Sequence, residues 1–503
     1  QYTQEFRRFV DDYHDTLRPH LTAAAQVSRG EVEEASVVMV NVRTGEEERV
    51  IYNATNVHVE SFGQWVKRFN TAKLAGYVRQ NNDFLSKQRE LGEAAVFVKF
   101  EQSAGKEDAA KPRGIQSTSW PIYARYLMAT AQHAVEAVLD GERAYDTAGL
   151  KWTCRYSCGM TSEQLGEWVA RPDSQEKDVV EADIKAFDGS FFELPNMSES
   201  RFVQYMLPEK IPDYYAEMRG KQVKLTAMGS AFNLHDAFDR ASQETKGRIV
   251  FNYRGRQVRV GTFRITGQRR SGDPQTSWGN SLWNCCLHLF ASMKVLRKLK
   301  KPLWADLIVL GDDSLARFAA GGDQKAITKI YELAIQEAGH EPAVVHSHIR
   351  WDMCSFCSRY IFWRPAQTPQ ELETANRWAW PGVPTMLSAP MRTLSRGMMV
   401  KLRLPAGWTG VQGGIAYAAA VLEAKKQLWL DGGSEVPLVR EALQRGLPES
   451  LVTPKTRCYA WNLDMLARRL MLPHRQIEDV AKTLSVYRDY ACANFAVNVI
   501  KMY

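Results

Sequence analysis

The sequence predicts an α+β chain, because strand-like apolar runs meet in tight turns while other stretches carry helical spacing. Leu307 to Leu310 and Ser314 to Phe318 read as two strands around a bend in which Gly311 supplies the backbone freedom. Ile249 to Val260 gives a second hairpin signal with an Arg254-Gly255 turn. Phe6, Val10, Tyr13 and Leu17 recur at helical spacing.

The elements follow in chain order. After the amino-terminal helix, Phe62, Trp65, Phe69 and Leu74 continue the helical spacing as packing positions. The charged, Gly-containing stretch Gln102 to Asp108 reads as a mobile loop. Val179 to Ile184 reads as a strand. The Gly- and Pro-bearing segment Arg270 to Gln275 is a loop running into an apolar helix that begins near Thr276. Ile327, Ile330, Tyr331, Ala334 and Ile335 form one face of a helix over Lys325 to Ala338, with Gly339 as its C-cap. From about Pro365 onward the patterning is helical, as in Val421 to Lys426.

Three polar constellations stand out. Asp312 and Asp313 are adjacent at a hairpin tip, where they repel unless cations lie between them; hard divalent ions with oxygen ligands suit such a site. A solvated loop is the competing reading of the pair. Asp183 and Asp188 close the second strand, and if that strand lies beside the hairpin, Asp183 reaches the same cations while Asp188 is free for another task. Thr276 and Asn280 are four apart, so both side chains could meet one object; an N-cap by Ser271 or Asp273 with ordinary helix packing is the alternative.

Asp183-x4-Asp188, Ser271-Gly272-x3-Thr276-x3-Asn280 and Gly311-Asp312-Asp313 resemble, in order and approximate spacing, motifs A, B and C of viral RNA-dependent RNA polymerases. Phe97-Val98-Lys99-Phe100-Glu101 with Lys111-Pro112-Arg113-Gly114 is similar to basic motif F, and Ser355-Phe356-Cys357-Ser358-Arg359 resembles the primer-grip hairpin, motif E. The chain looks like a plus-strand RNA virus replicase, closest in phrasing to tombusvirus-like, nodavirus-like and flavivirus-like enzymes, over about residues 97 to 360.

The resemblance implies a right-hand polymerase fold, with an antiparallel palm sheet carrying the Gly-Asp-Asp hairpin. Residues 1–178 would be fingers with motif F, 179–212 palm, 213–265 a fingers insertion, 266–364 palm with motifs B to E, and 365–503 a helical thumb. It implies template-directed transfer of nucleoside monophosphates from NTPs to an RNA 3′-hydroxyl by two Mg2+ or Mn2+ ions. Asp183, Asp312, Asp313 and the Ile184 carbonyl would hold the metals. Asp188, Ser271, Thr276 and Asn280 would read the ribose, and Lys99, Lys111 and Arg113 would bind the triphosphate, although each cation is also readable as a snorkelling surface residue. The family's motif D often supplies a lysine as general acid; here His340 to His348 contains none, leaving His346 or His348 as candidates beside a plain core or solvated role. RNA template, nascent RNA and other viral replication proteins would be the partners, in host cytoplasm at a membrane-associated complex. A reverse transcriptase-like palm polymerase and a non-catalytic RNA-binding scaffold are the rivals.

Composition agrees without deciding. With 503 residues, 45% of them hydrophobic, the chain can bury a large core. A net charge of +8 suits a polyanionic partner, and 65 basic against 57 acidic residues require that positive field to be focused in a channel. Eight scattered cysteines do not form a secreted disulfide pattern, which favours a reducing compartment. Cys154-x3-Cys158 and Cys354-x2-Cys357 have spacings of zinc half-sites, with buried small residues as the other reading. Trp378, Trp380 and Trp408 are read either as a stacking platform for an initiating nucleotide or as packing. No stretch has the roughly 20 uninterrupted apolar residues of a membrane span. Gln1, with neither initiator Met nor signal pattern, suggests a processed product or a part of a larger replicase.

Overall fold

The computed structural model describes residues 2–85, 94–99, 113–118, 120–171, 177–211, 215–218, 221–224, 233–253, 256–267, 269–270, 272–348, 351–390, 393, 419, 422–444 and 447–486. They fall into two compact units, one of residues 1–99, 113–158 and 178–347, the other of residues 100–112, 159–177 and 348–503. This division does not follow the five expected segments. Residues 140–156 supply two strands to the sheet that carries the acidic hairpin, so they cannot be parted from it.

In the first unit, α1 (Gln4–Ser28) starts at Thr3, whose side chain accepts from the Phe6 N–H, and it buries Phe6, Phe9, Val10, Tyr13 and Leu17 as its spacing predicts. Phe6 packs edge-on against Phe290 and Tyr13 against Trp152. An antiparallel ribbon of β1 (Glu34–Val40) and β2 (Glu47–Asn53) follows, then α2 (Phe62–Lys67) and α3 (Thr71–Leu85). Phe62, Trp65, Phe69 and Tyr77 gather there with Tyr126 of α4 (Ile122–Val138).

Between these helices, β3 (Ala94–Lys99) and β4 (Arg113–Thr118) pair antiparallel, with Lys99 opposite Arg113. They join β10 (Glu244–Tyr253) and β11 (Arg256–Thr266) in a sheet of order β11-β10-β3-β4. β10 and β11 form the hairpin expected over 249–260, with Tyr253 opposite Arg256; the Arg254-Gly255 turn lies outside the described residues. β8 (Tyr215–Met218) and β9 (Lys221–Lys224) make a separate two-stranded sheet.

The site rests on a six-stranded mixed sheet of β5 (Asp140–Thr147), β6 (Leu150–Tyr156), β7 (Asp178–Ile184), β12 (Trp304–Leu310), β13 (Asp313–Phe318) and β14 (Pro342–His348), in the order β14-β7-β13-β12-β6-β5. β12 is buried on both faces, as its unbroken apolar run requires. α8 (Thr276–Lys298) covers the sheet and is buried continuously from Trp278 to Met293, which makes it a core helix with no solvent stripe. α6 (Glu193–Met206), α7 (Leu234–Gln243) and α9 (Gln324–Glu337) complete the unit, and α9 matches its predicted amphipathic face.

The second unit contains α5 (Ser162–Val169), a sheet of β15 (Ser355–Phe356), β16 (Arg359–Arg364) and β17 (Val383–Ser388), α10 (Pro369–Arg377), and the helices Val439–Gln444, Arg457–Leu470 and His474–Val486. α5 lies on β17 so closely that a Cβ at Gly166 would overlap the Pro384 carbonyl. Asn462 donates to the carbonyls of Trp363 and Glu435 and accepts from the Trp363 N–H, pinning its helix to β16. Among the described residues after Pro365, helices predominate and one strand, β17, is added. Among the described residues, no helix is long and apolar enough to cross a membrane.

Candidate functional site

Two acids of the first unit show what a structural carboxylate looks like here. Asp178, at the start of β7, accepts from the backbone N–H groups of Ala320, Gly321 and Gly322 and from Gln324 Nε2. Asp306 accepts from Thr153 Oγ1 and Trp304 Nε1 with Arg317 3.6 Å away. Both are buried. Asp183, Asp312 and Asp313 are exposed, all at the opposite end of the same strands.

The strand register places them. β7 pairs antiparallel with β13, Leu315 opposite Glu181, and two further residues along each strand bring Asp183 opposite Asp313. β12 and β13 close on Leu310 opposite Asp313, leaving Gly311 and Asp312 as a two-residue turn. Gly311 has φ +65°, which a glycine adopts at no steric cost in the first position of such a hairpin loop. Its N–H donates to Ser281 Oγ at 2.7 Å, and that hydroxyl donates to the Ser277 carbonyl, so α8 holds the tip. Ile184, whose carbonyl was the fourth expected ligand, ends β7 with its side chain buried.

The three carboxylates share one sheet edge without forming a single-ion cage: among the described residues, the one acid and histidine trio gathered within 4.8 Å is His58, Glu60 and His133. A pair of ions about 3.5–4 Å apart spreads its ligands wider than one ion does. Asp183, Asp312 and Asp313 thus present three exposed oxygen donors on neighbouring strands.

Next to this edge, the chain leaves β7 through Ala186, at φ +49°, into a 3₁₀ turn over Phe187–Ser190 that carries Asp188. Asn280 Nδ2 donates to Asp188 Oδ1 at 2.9 Å, and Asn280 Oδ1 accepts from Arg269 Nε at 2.6 Å. Arg269 also donates its backbone N–H to the Asp188 carbonyl, pairs with buried Glu199 and lies over the Phe191 ring. Burial raises the Glu199 carboxyl above its ordinary range, and Arg269 opposes that rise. A Cβ at position 279 would run into Glu199, so the glycine beside Asn280 gives the acid its room. Arg269, Glu199 and Gly279 were not anticipated; only the Arg269-Arg270 pair before the loop hinted at them.

The other expected residues sort themselves by geometry. α8 begins at Thr276, whose hydroxyl donates to the Arg270 carbonyl at 3.0 Å and closes the loop. Asp273 is no N-cap: its carboxylate takes Trp120 Nε1 and Arg270 Nε, each at 2.8 Å. Ser271 and Lys111 lie outside the described residues, as do the Gln102 to Asp108 loop and Trp408. For Lys99 and Arg113 the backbone register alone is described. Trp380 is buried, whereas Trp378 is 40% exposed.

His346 and His348 lie in β14, the strand beside β7. The Lys185 N–H donates to the Glu341 carbonyl, so β14 starts at the acidic end of β7 and runs antiparallel to it. In that register Asp183 faces residue 343, and three residues at about 3.3 Å each carry His346 roughly 10 Å further along the sheet. His340 is closer in sequence but structurally committed. Trp283 Nε1 donates to its Nε2 at 3.0 Å, so its Nδ1–H donates to Ser190 Oγ, which donates to the Phe187 carbonyl. Burial depresses its pKa to about 4, and the neutral ring props the turn bearing Asp188. No thiol cluster supports the zinc half-sites among the described residues: Cys154 is buried in the first unit and Cys354 in the second. Set beside known proteins, the sequence matches no family model and no curated protein, so what this site does rests on its own geometry.

Proposed function

We propose that the chain is an RNA-dependent RNA polymerase, a nucleotidyltransferase of the plus-strand viral kind, with RNA and NTPs as its partners and the right-hand arrangement as its fold. The observation that carries this reading is the Asp188–Asn280 hydrogen bond, set beside the exposed edge of Asp183, Asp312 and Asp313.

The residues divide the work by chemistry. Asp183, Asp312 and Asp313, with the Ile184 carbonyl, would hold Mg2+ or Mn2+. When bound, such a pair activates the 3′-hydroxyl and steadies the leaving pyrophosphate. The ribose 2′-hydroxyl both donates and accepts. Asp188 would accept from it, while Arg269 holds Asn280 with its Nδ2 turned to Asp188. Lys99 and Arg113, opposite each other in β3 and β4, with Lys111 between them in sequence, are assigned to the triphosphate. Template pairing chooses the base.

Extension of a primer on an RNA template, with rNTPs and dNTPs compared and an Asp312→Asn variant alongside, tests the reading. Ribonucleotide incorporation that disappears in the variant is the expected result. A preference for dNTPs would favour the reverse transcriptase-like alternative, and activity unchanged by Asp312→Asn would remove the metal edge from the chemistry.

A further inference from the structure

Away from the acidic edge, the segment that follows β2 meets the middle of α4. His58 and Glu60 come from the segment, His133 from the helix, and one donor atom from each lies within 4.8 Å of the others. His133 Nε2 faces Glu60 Oε2 at 3.7 Å, too far for a hydrogen bond. Both atoms are buried and neither has a hydrogen-bond partner. The Glu60 side chain is 4% exposed and that of His133 8%. Two facing orphans of this kind are costly and call for an explanation.

Everything around the pair is already satisfied. The other Glu60 oxygen holds Arg68 Nε at 2.6 Å, and the Glu60 carbonyl accepts from the Tyr126 hydroxyl. His133 Nδ1 lies 3.2 Å from Glu136 Oε2, while Glu136 Oε1 accepts from Gln132. If Nδ1 carries the proton toward Glu136, the Nε2 lone pair points at a carboxylate. That arrangement is repulsive unless a cation sits between them. The His58 ring stands edge-on to His133 with centroids 4.5 Å apart, on the exposed side of the cluster.

We infer that His58, Glu60 and His133 form a zinc site, with Glu136 orienting His133. Zinc takes imidazole nitrogen and carboxylate oxygen at about 2.0–2.2 Å in a tetrahedron, which puts donors about 3.3 Å apart. The observed 3.7 Å separation closes to that by a small side-chain shift. A carboxylate on the far nitrogen of a metal-binding imidazole is the usual way its tautomer is fixed. Two nitrogens and one oxygen suit zinc better than the magnesium fitted by the all-oxygen edge. Water on the exposed side completes the coordination. The ion would staple residues 57–60, just ahead of α2, to α4. This assignment does not depend on the polymerase reading.

The full chain, stripped with EDTA and dialysed, is titrated with Zn2+ and with Co2+ as a spectroscopic substitute. Metal content, cobalt absorption and thermal unfolding are followed. The expected result is one zinc per chain, tetrahedral cobalt bands and a raised unfolding temperature. His58→Ala, at an exposed position that leaves the fold intact, should weaken zinc at least tenfold. Glu136→Gln, a positioning change, should weaken it roughly 10- to 100-fold. Asp183→Asn with Asp312→Asn should leave zinc binding unchanged. No zinc uptake would overturn the proposal, leaving His133 as an imidazolium shared by two carboxylates. Equal affinity in the wild-type chain and His58→Ala, or loss of zinc with the aspartate changes, would overturn it as well.

Discussion

Asn280 has its amide orientation fixed from both sides, since a guanidinium can only donate to its oxygen and a carboxylate can only accept from its nitrogen. Asn280→Ala removes that bridge and leaves Asp188 facing Arg269 across a gap. Under the polymerase reading, discrimination between rNTPs and dNTPs should fall roughly tenfold, the equivalent of about one hydrogen bond. The readout is the ratio of kcat/KM values for the two sugars, and an unaltered ratio would detach this residue from sugar choice. Asp188 and Asn280 were legible because both fall in segments whose order and spacing resemble polymerase motifs A and B. Arg269 and Glu199 were not, because the two lie 70 positions apart and nothing local announces the pairing.

Ser281 and the β15–β16 turn show how elements set function and stability. Ser281→Ala leaves the Gly311 N–H at the hairpin tip without its partner, at a cost of about 1–3 kcal/mol. Under the polymerase reading, a loosened tip should lower kcat roughly tenfold or more with KM for NTP little changed, because a small misplacement acts on chemistry more than on binding. A rise in KM alone would contradict this. In the second unit, β15 and β16 join with Phe356 opposite Arg359 through Cys357 and Ser358, both at positive φ. That is the turn of type I′, which prefers Asn and Gly. Ser358→Gly should therefore raise stability by roughly 0.5–1 kcal/mol, measured by denaturant unfolding; a loss would mean the hydroxyl makes a contact worth more than the strain.

The two hairpins and the helices α1 and α9 were readable because each needs only a local period and a turn residue. What lay beyond the local pattern was strand direction. β14 could be foreseen as a strand-like run after a helix, yet only its pairing beside β7, begun by the Lys185–Glu341 hydrogen bond, decides where His346 lies along the sheet. The same limit hid His58, Glu60 and His133, which meet across more than seventy residues.

At the scale of the whole chain, four histidines of the first unit share one electrostatic condition. Burial lowers the pKa of His20 and His340 to about 4 and of His14 and His288 to about 3. Each is neutral when folded and takes up a proton on unfolding once the pH drops below its ordinary value near 6.5. The unfolded state then binds more protons, so stability is full above about pH 6.5 and is lost as the pH falls toward 4. Denaturant midpoints should be level from pH 7 to 8 and decline steeply from 6 to 5. A flat profile through that interval would show that these rings are hydrated.

Residues 280 and 281 sit side by side on α8, one gripping Asp188, the other gripping the tip of the Gly-Asp-Asp turn. The helix is buried continuously here. Under the polymerase reading, a sugar that displaces Asn280 would be felt one residue along at Ser281, and through it at the hairpin tip. A mismatched monomer would then upset the very geometry needed to add it, a check on its building blocks without a separate proofreading part.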